Sequence, residues 1–246
     1  MVVFIISGAS YGLGRELVRQ ASLDDRNVIF ALVKSAKAAE QLTDLTSARN
    51  NIHVYFQTQE DRQAGYKLGQ KTAPESEICK SRHMYTVYAH RLTTVFRIRT
   101  DHYPNQMNDL QRFFSNHVLD VIRITNAFIP LLDRGSLKKV VTLTSEGVSN
   151  SHSILPSGLD VGVAYTMART ALDMAMSRYS AIHELRQKGF VYTIIESGSI
   201  ATSGGKDNYH SKVREVAREI LEMIERLRHD NSGRCTKLRE RDLITL

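Results

Sequence analysis

The 246-residue chain has only two cysteines, Cys79 and Cys235, far apart in sequence. Neither a disulfide framework nor a zinc-ligand spacing can be built from them, which favours a reducing compartment. Its nine histidines show no His-x-His or His-Glu-x-x-His pattern, so no metal site is expected. No apolar run is long enough to span a bilayer. The apolar start "VVFII" is too short for a signal peptide and has no basic flank before it. A cytoplasmic protein without membrane attachment is the expectation. Internal repeats and low-complexity tracts are also missing. No nucleic-acid motif accompanies the formal charge of +7. That charge gathers in Lys80–Arg99 and in the tail Arg226–Asp242, where solvated surface explains it better than a nucleic-acid partner.

What is present is an alternation of strands and helices. Hydrophobic residues make up 42% of the chain and charged residues 24%, a globular balance for a chain this long. "VVFIIS" reads as a buried strand, followed by a glycine turn and a helix. "NVIFALV" is a second strand and "SAKAAEQLTDLTSA" its helix; "NIHVYFQ" is a third strand. "MNDLQRFFSNHVLDVIRITNAFIPLLDRG" carries apolar residues at helical spacing and ends near Pro130 and Gly135. Then come the strand "KKVVTLTS", a long helix "VAYTMARTALDMAMSRYSAIHELRQKG", the strand "FVYTIIESGS" and a charged helix "KVREVAREILEMIERLRHD". This rhythm implies an α/β fold: a Rossmann-like, doubly wound parallel sheet with helices on both faces, spanning residues 1–246 as one domain. Residues 58–104 depart from it. They are rich in Lys, Arg and His, and a strand is expected either at Met84–Ala89 or at Thr93–Ile98.

Three constellations carry chemistry. In "SGASYGLG", Gly8, Gly12 and Gly14 stand between a strand and a helix, with Ser10, Tyr11 and Leu13 completing the turn. Glycines let backbone approach a pyrophosphate, and the helix N-terminus offers unpaired N–H groups. At the end of the second strand, "ALVKSAK" has no acid to hold ribose hydroxyls; Lys34 stands where a 2′-phosphate would lie, or else it caps a surface loop. The first reading favours NADP over NAD. In "AYTMART", Tyr165 and Arg169 are one helical turn apart. They are either a phenol made acidic by a neighbouring cation or a plain surface pair.

With these motifs the chain resembles the short-chain dehydrogenase/reductase family, single-domain type and similar to its fungal members. The resemblance covers residues 1–57 and about 105–205 well. The family's Asn within the fourth main helix matches Asn116, its Ser after the next strand matches Ser145, and its Tyr-x-x-x-Lys appears as Tyr165 and Arg169. Its Pro-Gly-x-x-x-Thr appears as Ser197, Gly198 and Thr202.

The resemblance implies roles. Ser145 polarises a substrate carbonyl, and Tyr165 gives its proton to that oxygen. Arg169 binds the nicotinamide ribose and lowers the tyrosine pKa. Asn116 anchors a water, while Ile200 and Thr202 hold the carboxamide. The implied protein is an NADP(H)-dependent oxidoreductase acting between a carbonyl and an alcohol on a small organic substrate. A homodimer or homotetramer through the Asn116 and Tyr165 helices is implied too.

Three departures stand against this. Arginine does not readily give up a proton, so a lysine-type relay is compromised. The family's Asn-Asn-Ala-Gly stretch is missing. Gln59 stands near the place of the acid after the third strand, with Glu60 and Asp61 displaced. They keep two alternatives open: a non-redox isomerase or cyclase on this scaffold, and a nucleotide-binding protein with impaired catalysis.

Overall fold

The computed structural model of the chain describes residues 1–56, 83–88, 103–144, 163–197, 205–238 and 243–245; side chains are described for all of these except 83–88, 103–107, 109, 163–166, 183–184, 205–208 and 243–245.

β1 (Val2–Ser7) is apolar on both faces because helices cover both. It lies near the middle of an eight-stranded sheet in the order β3-β2-β1-β4-β5-β6-β7-β8. β2 (Val28–Val33), β3 (Ile52–Phe56), β4 (His83–Tyr88), β5 (Leu137–Thr144), β6 (Phe190–Glu196) and β7 (Arg234–Lys237) all run parallel to β1. β8 (Leu243–Thr245) pairs antiparallel with β7. The chain winds outward from β1 to β3, crosses back to β4, and winds outward again. β1 and β4 therefore flank the switch point of the sheet.

Helices cover each face. One core joins Val3, Phe30, Val140 and Tyr192 of the sheet to Phe113, Val121, Phe128, Leu172 and Met176. The helical residues of this core come from α4 (Tyr103–Phe114), α5 (Asp120–Leu132) and α6 (Val163–Ala181). The opposite core joins Phe4, Ile29, Val141 and Ile195 to Leu17, Leu45, Ala217 and Ile220. Those helical residues come from α1 (Gly12–Ala21), α3 (Thr43–Ala48) and α8 (Gly205–Arg226). Lys139 is buried on this face and donates to the carbonyls of Ile224 (2.7 Å) and Glu225 (3.1 Å), satisfying the C-terminal end of α8.

The structure corrects several expected boundaries. The helix after β2 is two helices, α2 (Ala36–Glu40) and α3, because Leu42 turns fully into the core between them. The Gln41 carbonyl accepts from Arg15 Nε at 2.9 Å, which fixes that break. The Tyr165 helix ends at Ala181; α7 (His183–Gln187) follows it and stops before Gly189, whose φ of +78° suits only glycine. α8 begins at Gly205, seven residues before the expected start at Lys212. The tail, read as solvated surface, supplies β7, where Cys235 and Thr236 are buried. The doubtful strand is His83–Tyr88, hydrogen-bonded on both sides; Thr93–Ile98 lies outside the described residues.

Candidate active site

The glycine turn is formed as its residues dictate. β1 ends at Ser7, Gly8 takes φ +76°, and α1 starts at Gly12 with φ +55°. Ala9 N–H reaches the Leu32 carbonyl at 3.5 Å, holding the turn against the end of β2. Ser10 is buried and Tyr11 exposed. Tyr11 takes the position before the helix in extended backbone, makes no capping bond with its side chain, and the first turn of α1 has no acid. Leu13 packs against the core, and Gly14 is buried beneath it. A Cβ on Gly12 would lie 3.3 Å from the Tyr209 hydroxyl of α8. The turn is thus close-set, with the helix dipole facing outward, which suits an anionic group.

Lys34 follows β2 directly. Its ammonium reaches Asp120 Oδ2 at 3.2 Å and Asn116 Oδ1 at 3.3 Å. Asp120 is almost wholly buried and also faces Arg123 at 3.6 Å. The structure therefore joins Lys34 and Asn116, expected separately to meet a 2′-phosphate and to anchor a water.

Asn116 lies in a π-helical segment, Ser115–Leu119, between α4 and α5. Asp120 N–H bonds back to the Ser115 carbonyl, the wider spacing that marks such a bulge. The bulge turns His117 inward, stacked on Phe113 at 5.4 Å. Burial, then the charges of Arg169 and Lys34, push the His117 pKa down to about 4.

Arg169 is the best-defined member of the expected catalytic set. It is 3% exposed, and its Nη2 donates to the Leu143 carbonyl at 2.8 Å, near the carboxyl end of β5. Asp173, one turn on, has Oδ1 4.0 Å from the same Nη2. Burial, partly opposed by Arg169 and reinforced by Glu196, raises the Asp173 pKa to about 6. Tyr165 lies in the first turn of α6, with its side chain outside the described residues. Ser145, Ile200 and Thr202 also lie outside them, as do Gln59, Glu60 and Asp61.

The reading of the sequence missed Asp120, His117, Asp173 and Glu196. Only Asp173 carried a local signal, its i+4 spacing from Arg169. Among the described residues, no group of His, Cys, Asp and Glu could hold a metal ion. Among them too, no helix is long and apolar enough to cross a membrane.

No protein-family model matches the chain. Over 239 residues it is 28% identical to the short-chain dehydrogenase/reductase atnB of Arthrinium sp, covering 95% of this chain and 86% of that protein. It is 26% identical to the short chain dehydrogenase virK of Hypocrea virens, covering 88% of this chain and 80% of that one. The chain resembles the short-chain dehydrogenase/reductase family over nearly its whole length. It is an oxidoreductase of that type.

The fold agrees. An NADPH-bound carbonyl reductase from chicken fatty liver superposes with a TM-score of 0.79 over 99% of this chain and 98% of that one. Their sequences are 16% identical, so this likeness speaks for the fold. The glycine turn follows β1, beside the sheet's switch point, and the residue four positions after Tyr165 is the buried Arg169.

Proposed function

We propose that this oxidoreductase uses NADP(H) to interconvert a carbonyl and an alcohol on a small organic substrate. The observation that carries the reading is Lys34. It is a partly exposed cation directly after β2, with no acid at the end of that strand, beside a glycine turn whose backbone only glycine adopts readily. The residues fit the cofactor. Gly8, Gly12 and Gly14 leave the turn open to a pyrophosphate, with Ser10, Tyr11 and Leu13 around it. Lys34 would hold the 2′-phosphate, and Ile200 and Thr202 the carboxamide. The likeness in fold to an NADPH-bound carbonyl reductase supports the same choice.

NADPH held there would supply the hydride. The chain's own part is to orient the carbonyl and to move a proton. Ser145 hydrogen-bonds the substrate oxygen and Tyr165 donates its proton there as charge develops. Arg169 stabilises the tyrosinate by electrostatic attraction. Asn116 returns the proton through an anchored water. The chain works as one domain in the cytoplasm, as a homodimer or homotetramer through α4, α5 and α6. Exposed Phe114, Met167 and Met174 on these helices support that assembly.

A thermal-shift titration tests the cofactor reading. NADPH raises the melting temperature more than NADH does at equal concentration. Equal shifts, or none, contradict it.

A further inference from the structure

Buried charged residues gather between α6 and the carboxyl end of the sheet. Arg169 comes from α6 and bonds the Leu143 carbonyl. Asp173 follows on the same helix, 6% exposed, and Glu196 closes the end of β6, 4% exposed. From β7, the Cys235 thiol lies close enough for its pKa to be pushed up to about 12, first by burial and then by Asp173 and Glu196. Lys237 stands opposite Glu196 in the β6–β7 register. From the π segment, His117 feels Arg169 and stays neutral above about pH 4. Tyr192 contributes a buried phenol from β6 that remains protonated. Arg169 Nε and Asp173 Oδ1 have no hydrogen-bond partner among the described residues. Asp173 is thus the acid in direct reach of Arg169, one turn along the same helix.

We propose that Asp173 is a positioning residue for Arg169: its carboxylate draws the guanidinium beneath the end of β5 and partly cancels the charge that Arg169 presents to Tyr165. The idea rests on the reading of Tyr165 and Arg169 as the catalytic pair. The geometry gives it direction. Tyr165, Arg169 and Asp173 follow one another at one-turn intervals along α6, so Asp173 lies roughly 12 Å from Tyr165 by helical rise. Arg169 sits between them. A negative charge behind the arginine weakens its hold on a tyrosinate in front. Asp173 accepts a proton near pH 6 because burial and Glu196 disfavour its charge. Below that pH Arg169 acts on Tyr165 with less opposition, and above it the restraint is in force.

The test needs no substrate. The chain has no tryptophan, so tyrosinate can be followed by near-ultraviolet absorbance. Wild type, Asp173→Asn and Arg169→Met are each titrated with and without Tyr165→Phe, and the difference isolates Tyr165. In wild type Tyr165 titrates below the ordinary tyrosine value of about 10. Asp173→Asn lowers its midpoint further, by about half a pH unit, and Arg169→Met raises it. An unchanged midpoint in Asp173→Asn overturns the role of Asp173 alone. An unchanged midpoint in Arg169→Met overturns the catalytic pair and the proposal with it.

Melting temperature gives a second readout. Asp173 has a folded pKa above its unfolded one, so its ionised form lowers stability above about pH 6. Asp173→Asn therefore melts higher than wild type at about pH 8; the gap narrows by about pH 5, and it closes only below the unfolded value of 3.8, where both states carry the proton. A loss of equal size at both pH values marks a packing role and overturns the proposal.

Discussion

Lys34 and Asp120 face each other at 3.2 Å, joining the end of β2 to the first turn of α5. The pair gives Lys34 two tasks, a structural one toward Asp120 and the proposed one toward a 2′-phosphate. Lys34→Met separates them better than Lys34→Asp, which would set a second carboxylate against a buried one. We expect Lys34→Met to weaken NADPH binding by about tenfold, about 1.4 kcal/mol, while NADH binding changes little. Arg123 still faces Asp120, and Lys34 is partly exposed, so the stability loss stays near about 1 kcal/mol. Equal weakening of both cofactors would refute the phosphate role. Parallel cofactor titrations and a denaturant melt provide the check.

Gly12 is fixed twice over, by its φ of +55° and by the Tyr209 hydroxyl 3.3 Å from where a Cβ would stand. We expect Gly12→Ala to cost about 1 kcal/mol of stability from backbone strain alone. It should abolish the thermal shift with NADPH, because the added carbon stands at the entrance to α1. Tyr209→Phe on that background relieves the contact but not the φ, so most of the stability loss persists in denaturant unfolding.

His117 sets an acid limb. Its folded pKa, about 4, is below the unfolded value of 6.5. The folded state therefore binds fewer protons, and stability present above pH 6.5 is lost as pH falls toward 4, by up to about 3 kcal/mol. Asp173 acts oppositely. Its folded pKa, about 6, exceeds the ordinary 3.8, so it adds stability as pH falls through 6. The two offset in wild type over their common range. We expect Asp173→Asn to show a steeper acid loss than wild type, and His117→Gln a shallower one, in melts across pH 4 to 7. Identical slopes in all three proteins would refute the assignment.

The central strands were legible because burial on both faces leaves no polar alternation to misread. Phe4, Ile5 and Ile6, or Val140 and Val141, can only be interior. Gly8, Gly12 and Gly14 were legible because few backbones need that spacing between a strand and a helix. The break at Leu42 was not, since it depends on Arg15 reaching Gln41 from another helix. Strand β7 was hidden because Arg234 and Lys237 at its ends look like solvated charge, while only Cys235 and Thr236 between them are buried. Lys34 was read for its place after β2, but its partner Asp120 is 86 residues away. Arg169 was recognised by spacing from Tyr165. Its turn toward Leu143 came from the packing of α6 on β5 and β6, which no local pattern encodes.

The central claim is that Tyr165 delivers the proton in an NADPH-dependent carbonyl reduction. The direct measurement is NADPH consumption at its absorbance band across a panel of ketones and aldehydes, for wild type and Tyr165→Phe side by side. We expect turnover in wild type, and a loss of at least about a hundredfold in Tyr165→Phe with NADPH binding retained. Equal turnover in the two proteins, or none in wild type across the panel, would contradict the account.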